Sequence, residues 1–165
     1  SGEEALWLAT EKVSPNLPNV HHNLAVIYGN RNDFPNAIRE FQLAAALKPD
    51  WVDPYYNLGL TYQRAGQFAS ASATYAQALK LNPNLWQPYR NLAEIAFVEK
   101  RYDESIAFLQ KAIEKNPTNA KLFVNLAIVY QAKSDFISAR AALTQALAME
   151  PKNAAANELS QKISK

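Results

Sequence analysis

The sequence predicts an all-α fold, an array of repeated antiparallel helix pairs stacked one on the next as a solenoid. Three observations predict it. Five of the nine prolines, Pro15, Pro49, Pro83, Pro117 and Pro151, stand 34 residues apart, and a fixed period between about 20 and 50 residues marks a repeat array. Small residues recur in columns at the same period: Ala25, Gly59, Ala93 and Ala127; Ala37, Ala71, Ser105 and Ala139; Ala44, Ala78, Ala112 and Ala146. Within each period, two segments of about 13 residues place apolar side chains at i, i+3, i+4 and i+7, the pattern of an amphipathic helix.

Taken in order, residues 1–14 carry the pattern of a second helix without its first. Trp7 stands 34 positions before Phe41, and Val13 stands 34 before Leu47. Four full units follow, at 15–48, 49–82, 83–116 and 117–150. In each, the first helix carries a leucine: Leu24, Leu58, Leu92 and Leu126. An aromatic marks the second helix: Phe34, Phe68, Tyr102 and Phe136. The other prolines, Pro18, Pro35, Pro54 and Pro88, fall in first turns, where a missing N–H has no intrahelical partner to lose. Asp33 and Asp135 precede second helices and are placed to cap them. Residues 151–165 read as a C-terminal capping helix. Ala156, Leu159 and Ile163 form its narrow apolar stripe, while Ser160, Gln161, Lys162, Ser164 and Lys165 are polar, as the end of an array requires. The half unit at residues 1–14 leads us to expect a chain cut from a longer protein.

The second unit reads Tyr55, Leu58, Gly59, Tyr62, Gly66, Phe68, Ala71, Tyr75, Ala78 and Pro83. With the columns above, this resembles the tetratricopeptide repeat (TPR) family, in full over residues 15–150 and in part at the ends. Departures are mild: His21 replaces the first aromatic of unit one, Ala96 the Tyr of unit three, and Leu109 and Leu143 the later aromatic. The resemblance implies a right-handed superhelical solenoid whose first helices line a concave surface. A shorter resemblance runs through Glu4, Ala5, Leu6 and Trp7, then Ser14, Pro15 and Asn16, then His22, Asn23, Leu24 and Ala25. This stretch is similar to the junction at which membrane O-mannosyltransferase-like proteins pass into C-terminal TPR arrays.

Composition narrows the function classes. The 165 residues hold 17 Lys+Arg against 15 Asp+Glu. A net charge of +2 sets up no field strong enough to imply nucleic acid or an acidic membrane. The chain has no Cys, which excludes a disulfide scaffold, a Cys-based zinc site, an iron–sulfur cluster and a thiol nucleophile. No apolar run approaches the roughly 18 residues of a membrane span, so no direct insertion is expected.

The candidate site lies in an asparagine column. Asn23, Asn57, Asn91 and Asn125 each precede the Leu of their first helix, in a chain with fifteen Asn in all. Asn is a poor helix former, so its recurrence in mid-helix asks for a reason. One reading is a ligand-binding ladder: an amide both donates and accepts, and amides at one pitch can follow an extended backbone. Some arrays of the family use a ladder of this kind, and the resemblance implies the same option here. The other reading is local bonding between helices. Around the column stand His22, Tyr56, Arg90 and Val124 one position earlier, and Val26, Leu60, Glu94 and Ile128 three positions later. An apolar surface with aromatic and basic points is the composition of a binding surface. Arg90 and Glu94, spaced i,i+4, are also placed to pair with each other. Family members that clamp acidic chaperone tails place Lys or Arg beside Asn. Here only Arg90 and Lys121 are basic at such positions, so that clamp is not expected.

No residue set points to catalysis. His21 and His22 are the only histidines, and neighbours on a helix point about 100° apart, a poor chelate. Neither has a Ser/Asp constellation. Four glycines form no phosphate loop, and no paired carboxylates mark a general acid and base. We therefore expect a non-enzymatic scaffold with no cofactor and no metal site, binding a protein or peptide in the concave groove. Its expected contacts are Asn23, Asn57, Asn91, Asn125, His22, Tyr56, Leu60, Arg90, Glu94 and Ile128. The alternative is self-association, end to end, or docking within a larger protein, such as a membrane glycosyltransferase. Compartment and partner identity stay open.

Overall fold

The computed structural model describes residues 2–163, and among these it holds ten α-helices and no strand. They are α1 (Gly2–Val13), α2 (Pro18–Asn30), α3 (Phe34–Leu47), α4 (Val52–Arg64), α5 (Phe68–Leu81), α6 (Trp86–Val98), α7 (Tyr102–Lys115), α8 (Ala120–Ala132), α9 (Phe136–Met149) and α10 (Ala154–Ile163). First helices start at 18, 52, 86, 120 and 154, and second helices at 34, 68, 102 and 136, the same 34-residue step as the prolines. The helices form two compact units, one ending at Pro83 and the next starting at Asn84.

In the first unit α2 packs on α3 and α4 on α5, with α1 laid against α2 and α3 against α4. Ala25, Phe41 and Leu58 form a buried cluster there, flanked by Ile38 and Tyr62. The small columns set how close a pair comes. Ala37, Ala44, Ala71 and Ala78 are fully buried, so the helices meet at alanine with no long side chain to hold them apart. Gly59 is the tightest point. A Cβ there would sit 2.5 Å from Cε1 of Tyr75, a ring that is itself fully buried. Other units place Ala at this position, and opposite it the smaller Leu109 and Leu143 occur in the Tyr75 column.

In the second unit α6 packs on α7 and α8 on α9, α7 meets α8, and α10 closes over α8 and α9. One core runs through it, including Ala93, Leu109, Leu122, Ala127 and Leu143, and ending on Ala156, Leu159 and Ile163 of α10. The stripe read as a cap is thus buried against the array.

Each helix pair turns in the same way. Asn32, Gly66, Lys100 and Ser134 have φ of 61°, 75°, 60° and 62°. The following N–H reaches back five residues: Asp33 to the Tyr28 carbonyl (2.9 Å), Gln67 to Tyr62 (2.8 Å), Arg101 to Ala96 (2.8 Å) and Asp135 to Tyr130 (2.9 Å). This is a Schellman closure, with a left-handed residue just past the helix end satisfying carbonyls that would otherwise be orphaned. The next residue starts the second helix. Asp33 and Asp135 then accept from Asn36 N (3.4 Å) and Ser138 N (3.1 Å), which is the capping expected of them.

Candidate functional site

The candidate side chains ride on the first helices. In the first unit, His22 and Asn23 come from α2 and Tyr56, Asn57 and Leu60 from α4. The amide of Asn57 donates through Nδ2 to His22 Nε2 at 3.1 Å. The imidazole is wedged against Trp51 (centroids 4.7 Å apart) and edge-on to Phe41 (5.5 Å). Burial pushes the His22 pKa below its ordinary value, against the opposing pull of Asp53 and Asn23. His22 is therefore a neutral ring with a lone pair for Asn57, and this bond leaves the Asn57 carbonyl oxygen unused. Tyr56 stands 6.1 Å from the ring of Tyr75. Asn23, Tyr56, Asn57 and Leu60 are half-buried, and Val26 is exposed beside them.

In the second unit the candidates converge on a pocket. A cavity of about 290 Å³ is lined by Arg90, Glu94 and Phe97 of α6 and by Asn125 and Ile128 of α8. Ala93, Ser105, Leu109 and Val129 complete its walls. The floor is apolar and the polar groups are few, the usual make-up of a ligand pocket. Arg90 donates through Nη2 to Asn91 Oδ1 at 2.6 Å, while its Nε–H is buried and finds no acceptor among the described residues. No ion pair joins Arg90 to Glu94 among the described residues, so the i,i+4 pairing expected from sequence does not form: the guanidinium turns to Asn91 instead.

The four asparagines differ. Asn23, Asn57 and Asn125 are half-buried, whereas Asn91 is fully buried and accepts from Arg90. Val124, read as a groove neighbour, is 6% exposed and lies in the core.

The fold and sites stand beside known proteins as follows. Three family models described as tetratricopeptide repeats match residues 27–66, 56–120 and 96–163. The chain belongs to the tetratricopeptide repeat family. The comparison with curated proteins gave no match. Among solved structures, the TPR array is similar to YrrB, described as a TPR protein with an unusual peptide-binding site. That match has a TM-score of 0.80 and 19% identity and covers 96% of this chain and 81% of the other. It is also similar to MamA, with a TM-score of 0.85 and 20% identity over 92% and 88% of the two chains. A third similar structure is pilF of Pseudomonas aeruginosa, with a TM-score of 0.82 and 16% identity over 96% and 72%. At these identities the likeness shows the fold, an all-α solenoid of TPR helix pairs.

Within the TPR frame, the missed site residues come from the second helices and the junctions. Ser105 and Leu109 of α7 belong to columns read as pure packing, yet they wall the pocket. Trp51 and Phe41 form the bed of His22. The signal for Ser105 was present: it is the one hydroxyl in an alanine column. It donates to the Ala93 carbonyl at 2.7 Å. Trp86 packs on the core of its unit. No described helix is long and apolar enough to cross a membrane.

Proposed function

We propose that this TPR array is a non-enzymatic scaffold that binds an extended protein segment against its first helices. The observation that carries the proposal is the α6–α8 pocket. It joins an apolar floor to an Arg90 Nε–H that lacks an acceptor and an Asn125 amide that bonds to no other described side chain. Buried donors are nearly always satisfied, so an unused one on a residue that lines a pocket is a reason to look for a ligand acceptor. A side chain of the ligand fills the space above Phe97 and Ile128, and Asn125 holds the adjoining backbone. In the first unit Asn23 and Asn57 serve as further rungs, with Tyr56 and Leu60 selecting side chains and His22 fixing the orientation of Asn57. Asn91 contributes by holding Arg90, and Glu94 supplies a negative charge at the pocket rim.

The test is selection from a displayed library of random peptides, followed by calorimetric titration of the winners. Asn57→Ala with Asn125→Ala should weaken binding by at least about tenfold, near 1.4 kcal/mol, with the helical circular dichroism unchanged. Undiminished affinity in the folded double variant would end the ladder reading.

A second reading, self-association, is favoured by exposed apolar side chains away from the pocket. Leu6 and Val13 of α1 are 61% and 83% exposed, and Ile137 of α9 is 78% exposed. Light scattering across a concentration series decides it, since a mass that stays monomeric throughout rules it out.

A further inference from the structure

His21 makes a contact that peptide binding does not use. It is 4% exposed and Glu40 is 2% exposed, and the two meet between α2 and α3. The ring Nδ1 lies 2.7 Å from Glu40 Oε2, and Nε2 lies 2.7 Å from the carbonyl oxygen of Pro15, in the segment joining α1 to α2. A backbone carbonyl can only accept, and so can a carboxylate ion, whereas a neutral imidazole has a single N–H. Two acceptors at hydrogen-bond distance therefore call for two N–H groups. The carboxylate is met on its other side by Arg39, which donates to Oε1 through Nε (3.0 Å) and Nη2 (2.8 Å). Glu40 thus lies between two cations, and the shared proton belongs on the ring.

From this we infer that His21 is a buried imidazolium that latches α1 and its connecting segment onto the α2–α3 pair, and that loss of its proton frees α1. Three segments converge on the ring: Glu11 from α1, Pro15 from the connection and Glu40 from α3, with the ligand-type atoms of Glu11, His21 and Glu40 all within 4.8 Å of one another. Trp7 and Leu8 are only half-buried on α1. The helix contributes no fully buried residue. Its ion pair from Glu4 to Arg31, at 2.8 Å, is partly open to solvent, and exposed pairs contribute little. A segment with few buried apolar contacts opens at a small fraction of the global free energy, so one buried charged contact decides whether it stays down.

Among the charged and titratable groups around the ring, Glu40 and Glu11 favour the proton. From α1 come Glu11 and Glu4, from α3 Glu40 and Arg39, and from α2 Tyr28 and, just past its end, Arg31. Asp53 at the start of α4 acts on His22. Burial alone lowers the His21 value, but the Pro15 carbonyl, Glu40 and Glu11 together outweigh it, and the net shift is upward. A folded value above the unfolded one means the latch is fully closed below the ordinary histidine value. It is lost as pH rises through the higher folded value.

The experiment is nuclear magnetic resonance on the full chain between about pH 5.5 and about pH 9. It follows the His21 ring together with amide protection factors, corrected for the intrinsic exchange rate. At the acid end both His21 ring nitrogens should carry protons. Through the His21 titration, protection of α1 amides should fall by about tenfold or more while that of α9 holds. His21→Phe fills the same slot without a titrating group, so α1 protection should become independent of pH. Glu40→Gln keeps the shape and should move the transition to lower pH, which preserves the test if His21→Phe folds poorly. The inference is overturned if α1 protection ignores the His21 titration, or if His21→Phe keeps the wild-type pH profile. It is overturned equally if zinc ions at the alkaline end restore α1 protection with both ring protons absent, because the cluster is then a metal site.

Discussion

A guanidinium that keeps an Nε–H buried and unused carries a desolvation cost with nothing local to offset it. Arg90 is in that state, and its Nη2 contact to buried Asn91 fixes the plane in which the free edge points. A fixed fork suits a planar acceptor far better than an ammonium does. We expect Arg90→Ala to weaken library-selected peptides by about tenfold or more and Arg90→Lys to recover little of that loss, as read by calorimetry. Recovery by Lys would show that only charge matters. The difference between Asn91 and its counterparts has the same origin. The column was legible in the sequence, but which way an amide turns depends on its partner, Arg90 for Asn91 and His22 of another helix for Asn57, and on its depth in the pair. Period and composition do not encode that. Gly59 is set by its neighbour in a similar way. A Cβ there meets the Tyr75 ring at 2.5 Å, so Gly59→Ala forces a buried, hydrogen-bonded Tyr75 to move. Overpacking of this kind costs about 1–3 kcal/mol, measurable by urea unfolding. A cost near zero would mean that α4 and α5 slide apart freely.

At the scale of helices and turns, sequence reading did best where one periodic signal controls the outcome. Prolines and small columns located the helix pairs, and Asp33 and Asp135 were recognisable as caps because capping uses a single side chain and the next turn. The left-handed turn residues were harder to see. Gly66 announces such a position and Asn32 is compatible with one, but Lys100 and Ser134 give no sign of it, because the backbone hydrogen bonds of the closure impose the conformation on whatever residue stands there. For non-glycine residues that conformation costs about 1–2 kcal/mol. Lys100→Gly and Ser134→Gly should therefore each stabilise the fold by about 0.5–1 kcal/mol, since the gain is offset partly by the greater freedom of glycine in the unfolded chain. Chemical denaturation checks this, and a loss of stability would show that the side chains themselves hold the turns. Ala71 tests the packing of the pair: it is fully buried, and Ala71→Leu should cost about 1–3 kcal/mol in the same assay.

For the whole molecule, the two adjacent histidines act in opposite directions. Burial lowers His22, so the unfolded chain takes up more protons than the folded one at that site. Stability falls as pH drops below histidine's ordinary value of 6.5. His21 is raised, and its contribution is lost as pH climbs above that value. Thermal unfolding should thus be most stable near pH 6.5, with His21→Phe flattening the alkaline side. A melting temperature that is unchanged across both limbs would contradict the two assignments. His21 is buried, as a packed slot requires, and His22 is half-buried against Trp51 and Phe41. Their charge states were out of reach of sequence, because Glu40, Pro15 and Asp53 are brought to them by folding. The central claim remains that the first helices carry the ligand. It is tested most directly by mapping amide shift changes while titrating the array with a library-selected peptide. The account predicts the largest changes at Arg90, Glu94, Asn125 and Ile128, with a second set around Asn57. Changes confined to second-helix positions such as Ile137, or a library that yields no binder, would contradict it.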